Sequence, residues 1–108
     1  MFHRQLDSFV FGDSDTVKTN TLNFEGLLKN LHIRVPDFTN AVTATVTIED
    51  ASGYEVYNSG AKTKNVNYNE LADIVVAGLA TLKVTLSGAP GGAGGTVIVV
   101  SNGMGRGV

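Results

Sequence analysis

Between Ala41 and Glu49 the chain alternates without a break: Val42, Ala44, Val46 and Ile48 take one parity, and Thr43, Thr45 and Thr47 the other. Successive side chains of an extended strand point to opposite faces, so this rhythm writes a strand with one dry and one wet side. A helix would scatter the same residues around its axis. The wet set is threonine, β-branched and hydroxylated, which suits a solvated sheet surface. A half-buried strand needs partners beside it and a second layer over its apolar face. This segment therefore constrains the fold more than any other.

The rhythm recurs. Leu31, Ile33 and Val35 alternate with His32 and Arg34 until Pro36, which cannot donate to a ladder. Asp37 to Asn40 reads as a loop. Glu49 to Tyr54 reads as a turn around Gly53, returning through Glu55-Val56-Tyr57 as a hairpin with a glycine bulge. Ala61 to Tyr68 is a polar edge strand guarded by Lys62 and Lys64. Asn69 to Asp73 reads as a helical turn or loop, and Ile74-Val75-Val76 as a short buried strand.

Leu82, Val84 and Leu86 form another alternating strand, and Thr96 to Ser101 is nearly all apolar, as expected when both faces are covered. The glycine-rich stretch Gly88 to Gly95 between them reads as the long flexible tip of a hairpin. Phe9-Val10-Phe11, a turn at Gly12 to Asp15, and Thr16 to Phe24 suggest a further hairpin.

Seven or eight short strands with turn signals every eight to twelve residues, and no amphipathic helix, predict an all-β fold. The expected architecture is an antiparallel β-sandwich, immunoglobulin-like or jelly-roll, with a closed barrel as the alternative. With 108 residues the chain is expected to make one domain, 1–108. Both ends, about 1–8 and 102–108, read as extended arms that pair with neighbouring subunits.

Charge and motifs exclude more than they identify. A net charge of −2, with eight scattered Lys and Arg, offers no basic stripe for a nucleic acid. No cysteine is present, so there is neither a disulfide frame nor a thiolate metal site. The first residues lack the basic and apolar segments of a signal peptide, and no apolar run is long enough to span a membrane.

Two histidines, His3 and His32, stand far apart, and no Gly-x-Ser-x-Gly occurs, so nucleophilic catalysis is not expected. The acid pairs Asp13/Asp15 and Glu49/Asp50 fall in turns, where Asp bonds nearby backbone, rather than across a cleft. Asp13-Ser14-Asp15 begins like a calcium loop but lacks the glycine and glutamate that complete one. The glycines of 88–95 precede a strand and not a helix, which removes a phosphate-loop reading. No catalytic residue, metal ligand or cofactor is therefore assigned.

The stretch Leu31 to Asn40, then Thr43 to Tyr54, and later Leu82 to Ala89 with the glycine loop and Thr96 to Val100, resembles small structural proteins of tailed bacteriophages. The resemblance implies a β-sandwich virion protein without enzymatic activity, most simply a capsid decoration (cement) protein. It further implies a homo-oligomer, a trimer or higher ring, that binds the major capsid protein or other virion proteins. Nucleic acid and membrane are not expected partners. The residues expected at such an interface are Phe2, His3, Arg4, Leu6, Pro90, Gly91, Gly92, Met104 and Arg106. The alternatives are a neck or tail ring component, and a carbohydrate or cell-surface binding module using Tyr54, Tyr57 and Tyr68.

Overall fold

The computed structural model describes residues 2–23, 25–76 and 79–105. They form nine strands: β1 (Phe2–Phe11), β2 (Val17–Leu22), β3 (Gly26–Val35), β4 (Thr43–Glu49), β5 (Glu55–Asn58), β6 (Lys62–Thr63), β7 (Val66–Val76), β8 (Ala80–Leu86) and β9 (Gly95–Gly105). One sheet runs β1-β9-β3-β7 and the other β2-β8-β4-β5, with β6 also paired to β4, and every pairing is antiparallel. The alternation read at 41–49 is β4, whose Ala44, Val46 and Ile48 are fully buried.

This order decides between the two sandwich readings. Setting the two-residue β6 aside, the first, last, third and sixth strands make one sheet, and the second, seventh, fourth and fifth make the other. That is the eight-stranded jelly roll, two interleaved Greek keys, and not the immunoglobulin arrangement.

The interior is filled by side chains of matching parity. Phe9, Phe11, Leu31, Ile33, Val35, Val97 and Val99 from one sheet meet Leu22, Ala44, Val46, Ile48, Leu82, Val84 and Leu86 from the other. In β3 the register shifts at Lys29 against both neighbours, so the buried parity changes from Leu28 to Leu31, Ile33 and Val35. Such a bulge bends the strand locally while keeping apolar residues inward on either side of it.

Several sequence expectations need correction. The described parts of the two end segments are not arms: residues 2–8 form most of β1 and pair residue for residue with 98–104 of β9, while residues 1 and 106–108 lie outside the described residues. Across 3–8 and 98–104 the even positions lie outward and the odd positions inward, so they contribute to the sandwich itself. Phe9–Phe11 and Thr16–Phe24 do not form a hairpin either, since β1 and β2 belong to opposite sheets; Phe24 lies outside the described residues. Between them, side chains replace a ladder. Asn20 Nδ2 donates to Asp7 Oδ1 at 3.0 Å, Gln5 Nε2 to Asp7 Oδ2 at 2.9 Å, and the Asn23 amide to Gln5 Oε1 at 2.8 Å. Residues 69–76, expected as a loop and a separate buried strand, are the continuation of β7, with Asp73 at φ 80°.

The glycine segment is the largest correction. β8 and β9 lie in opposite sheets, so Ser87 to Gly94 is an inter-sheet connection and not a hairpin tip. It packs against two other loops at the same end of the sandwich. The Asn40 amide donates to Pro90 O at 2.9 Å, Asn40 Nδ2 to Ala89 O at 2.9 Å, and the Gly91 amide to Asp13 O at 3.0 Å. Gly94, at φ 72°, lies so close to Phe11 that a Cβ there would overlap the Phe11 carbonyl oxygen. Phe38, 1% exposed, closes this end with its ring edge-on to Phe11 at 6.4 Å between centroids.

The hairpin from β4 to β5 turns as its sequence indicates. Gly53 takes φ 87°, and the Asp50 carboxylate accepts the amides of Ser52 at 2.9 Å and Tyr54 at 3.0 Å.

Candidate interaction face

The two sheets present different outer surfaces. The outer face of β2-β8-β4-β5 carries Thr19, Thr21, Thr81, Thr85, Thr45 and Thr47, with Lys83 paired to Glu49 at 3.7 Å. It is polar, as its alternation indicates. The outer face of β1-β9-β3-β7 is mixed, with aliphatic side chains set among polar ones.

Across that second face the registers set four rows from β1 through β9 and β3 to β7. They read Ser8–Ile98–Arg34–Asn67, then Leu6–Val100–His32–Asn69, then Arg4–Asn102–Asn30–Leu71, and finally Phe2–Met104–Leu27–Val75. Leu6 and Met104 are exposed, Leu71 is 86% exposed and Val75 74%. Ile98 and Val100 are only half-buried. An open groove of about 310 Å³ runs between Leu6, Ile98 and Val100 on one side and His32 and Arg34 on the other. Contiguous exposed aliphatic surface of this kind marks a docking site more often than a bare solvent face.

The expected interface residues are divided by the fold. Arg4, Leu6 and Met104 share this outer face, with the backbone of Phe2 opposite Met104. His3 has the opposite parity and is half-buried. Pro90 is buried, and Gly91 and Gly92 pack against Asn40 and Thr39, so these three belong to the closed end of the sandwich. Arg106 lies outside the described residues.

The face also holds residues not singled out from the sequence: Leu27, Ile98, Val100, Leu71 and Val75. A signal for three of them was present. Strand segments with apolar residues at both parities, such as Val97-Ile98-Val99-Val100 and Ile74-Val75-Val76, read as covered on both sides. In a two-layer sandwich the second side has no layer over it.

The remaining candidate chemistry is dispersed. His32 stands on the outer face between Val100 and Asn69, not against an acid and a hydroxyl. Asp15 is the capping acid of its turn: Oδ2 accepts the Gly12 amide at 2.8 Å and lies 3.3 Å from Lys18 Nζ. The Gly12 hydrogen bond, then the Lys18 hydrogen bond and charge, hold its carboxyl below the ordinary carboxylate value. Among the described residues no group of three or more His, Cys, Asp or Glu lies together in a way that would hold a metal.

The three tyrosines form no common platform. Tyr54 is 73% exposed in the turn. Tyr57 turns its hydroxyl inward, where it is buried without a hydrogen-bond partner. Burial, helped by the charge of Glu70, pushes that hydroxyl's pKa up. Tyr68 bonds Thr63 at 2.6 Å beneath Lys62, whose Nζ lies 5.1 Å from the ring centroid.

Strand order and filled interior together define a jelly-roll sandwich with one outer face that exposes aliphatic side chains among polar ones. No protein-family model matches the chain, and no curated protein does. Among solved structures, a chain in the structure of the infectious bursal disease virus Gt strain matches over 91% of this chain, at 12% identity and a TM-score of 0.37. One in the structure of the Gx strain matches over 97%, at 13% identity and a TM-score of 0.38. The present chain spans 32% and 33% of the length of those chains. No helix among the described residues is long and apolar enough to cross a membrane.

Proposed function

We propose that this protein is a non-enzymatic structural component of a virion that works by adhesion, most simply as a capsid decoration or stabilising protein. The observation that carries the reading is the outer face of β1-β9-β3-β7, where Leu6, Ile98, Val100, Leu71, Val75, Leu27 and Met104 lie exposed or half-exposed in one plane. A jelly roll exposing an aliphatic sheet face is suited to being tiled against other subunits. The burial of that face drives association without any need for a pocket or cofactor. The interior, where some jelly rolls bind ligands, is occupied by the chain's own Phe, Leu, Ile and Val side chains. The sequence resemblance to phage structural proteins points the same way.

Under this reading the face binds the major capsid protein or another virion protein, while further copies of the chain, in a trimer or higher ring, associate through the sheet edges. A neck or tail ring is the second assembly compatible with the same face. A carbohydrate-binding role has less support, because of the three tyrosines only Tyr54 offers an open ring.

The test is solution mass combined with cosedimentation on empty capsids. The wild-type chain is expected to sediment as an oligomer and with capsids, and Leu6→Asp with Met104→Asp to abolish capsid binding while leaving the fold intact. A monomer that ignores capsids, or a double variant that binds as well as wild type, would overturn the proposal.

A further inference from the structure

We infer that the β1-β9-β3-β7 face docks an extended acidic protein segment, in which two carboxylates flank one aliphatic side chain. This deepens the proposed function and rests on its reading of that face as the docking surface.

The charge distribution leads to it. All five lysines are in ion pairs: Lys18 with Asp15, Lys29 with Asp73, Lys62 with Glu70, Lys64 with Asp37 and Lys83 with Glu49. Arg4 and Arg34 take part in none of these pairs, and both are exposed on the aliphatic face. A chain of net charge −2 thus keeps two guanidiniums on its apolar surface with no internal acid assigned to them. Asp73 on β7 is 3.4 Å from Lys29, and Asp37, which lines a shallow pocket together with Arg34, is 3.4 Å from Lys64. A guanidinium presents a planar fork that matches a carboxylate, and arginine is enriched at protein interfaces for that reason.

The registers give the spacing. Arg34 on β3 and Arg4 on β1 stand at opposite corners, two strands and two rows apart, and Val100 on β9 lies at the midpoint of that diagonal. With about 4.8 Å between strands and about 3.4 Å per residue, the diagonal is roughly 16 Å between backbones. An extended segment covers about 13.5 Å from residue i to i+4, and the two long side chains at each end span the remainder. Residues i, i+2 and i+4 share a face, so the expected pattern is acid, aliphatic, acid. Its central side chain would seat in the groove between Val100 and His32.

A nucleic acid fits less well. The described side chains of the face are aliphatic and polar, with Tyr68 at the rim of the groove, and two arginines with one histidine are few contacts for a phosphate backbone.

The experiment is a titration of the ¹⁵N-labelled full chain with the blocked heptapeptide Ser-Glu-Ser-Leu-Ser-Glu-Ser, followed by amide shifts. Saturable shifts confined to residues 4–8, 30–34 and 98–102 are expected, with a Kd on the order of 1 mM. Arg4→Gln and Arg34→Gln are each expected to weaken binding about threefold or more, and the Gln-for-Glu peptide about tenfold. Both arginines are exposed, so the folded spectrum serves as an internal control.

The inference fails if no shifts appear by about 10 mM peptide, if the Arg variants bind unchanged, or if an oligothymidylate produces the same shifts more tightly. It also fails if those amides broaden with protein concentration alone, which would make a second copy the occupant. Capsid binding lost in Leu6→Asp but kept in the Arg4→Gln, Arg34→Gln double variant would remove the acidic pattern while leaving the docking role standing.

Discussion

Replacing Gly94 by alanine tests the most consequential difference between the sequence reading and the structure. Gly94 and Gly53 both hold positive φ, at 72° and 87°. Any L-residue there costs about 1–2 kcal/mol, because its Cβ approaches the following carbonyl. At Gly53 nothing lies within 4 Å of a new Cβ, so Gly53→Ala should lose only that amount.

At Gly94 the new Cβ would overlap Phe11 O and stand 2.9 Å from Phe11 C. That is about 0.6 Å inside the optimal carbon–carbon separation, and the obstructing atoms are backbone with no rotamer to escape into. The corner between β1 and β9 must open, displacing Phe11 from Phe38, and overpacking of this kind adds about 1–3 kcal/mol. Gly94→Ala should therefore destabilise by about 3 kcal/mol in total. Thermal unfolding followed by circular dichroism should show a fall in Tm of roughly 10–20 °C for Gly94→Ala, against roughly 4–8 °C for Gly53→Ala. Equal losses would mean that residues 88–95 are a free tip, and the packed inter-sheet connection would be refuted.

Phe38→Ala should cost about 3–5 kcal/mol in urea unfolding, since its ring closes one end of the core. Tyr57→Phe should stabilise the protein by about 1 kcal/mol in the same assay, because it removes a buried hydroxyl that has no partner. The raised Tyr57 pKa sets an alkaline limit: stability from the neutral phenol is complete below 10.0, the ordinary value, and is lost as pH rises through the folded value. Tyr57→Phe should blunt that alkaline loss. Asp15 works in the opposite sense, its lowered pKa giving stability present above 3.8 and lost as pH falls through the folded value, so Asp15→Asn should flatten the acid limb of a pH–stability curve.

Much of the sandwich was legible because its cause is local. Parity along 41–49, 31–35 and 82–86 depends only on the pleat and on which residues avoid water, and each of these segments is a strand with the expected side inward. The Asp50–Gly53 turn was legible for the same reason, since one carboxylate and one glycine determine it within five residues. The interaction face was legible only in fragments. Arg4, Leu6 and Met104 were singled out as parts of arms, and their common plane arises from the pairing of β1 with β9 across nearly the whole chain.

Local residues dictated that this protein would be built of alternating strands around an aliphatic core, since pleat and hydrophobic burial act over two or three neighbours. Pairing was a different matter. A connection of five to eight residues, such as Gly12–Thr16 or Ser87–Gly94, can close a hairpin or cross to the opposite sheet with similar loop entropy. Which one forms depends on the total apolar area buried when both layers come together. The tertiary structure alone therefore decided that the two ends share a ladder, that the glycines line a packed corner, and that one sheet turns outward both aliphatic side chains and two arginines that join no ion pair among the described residues.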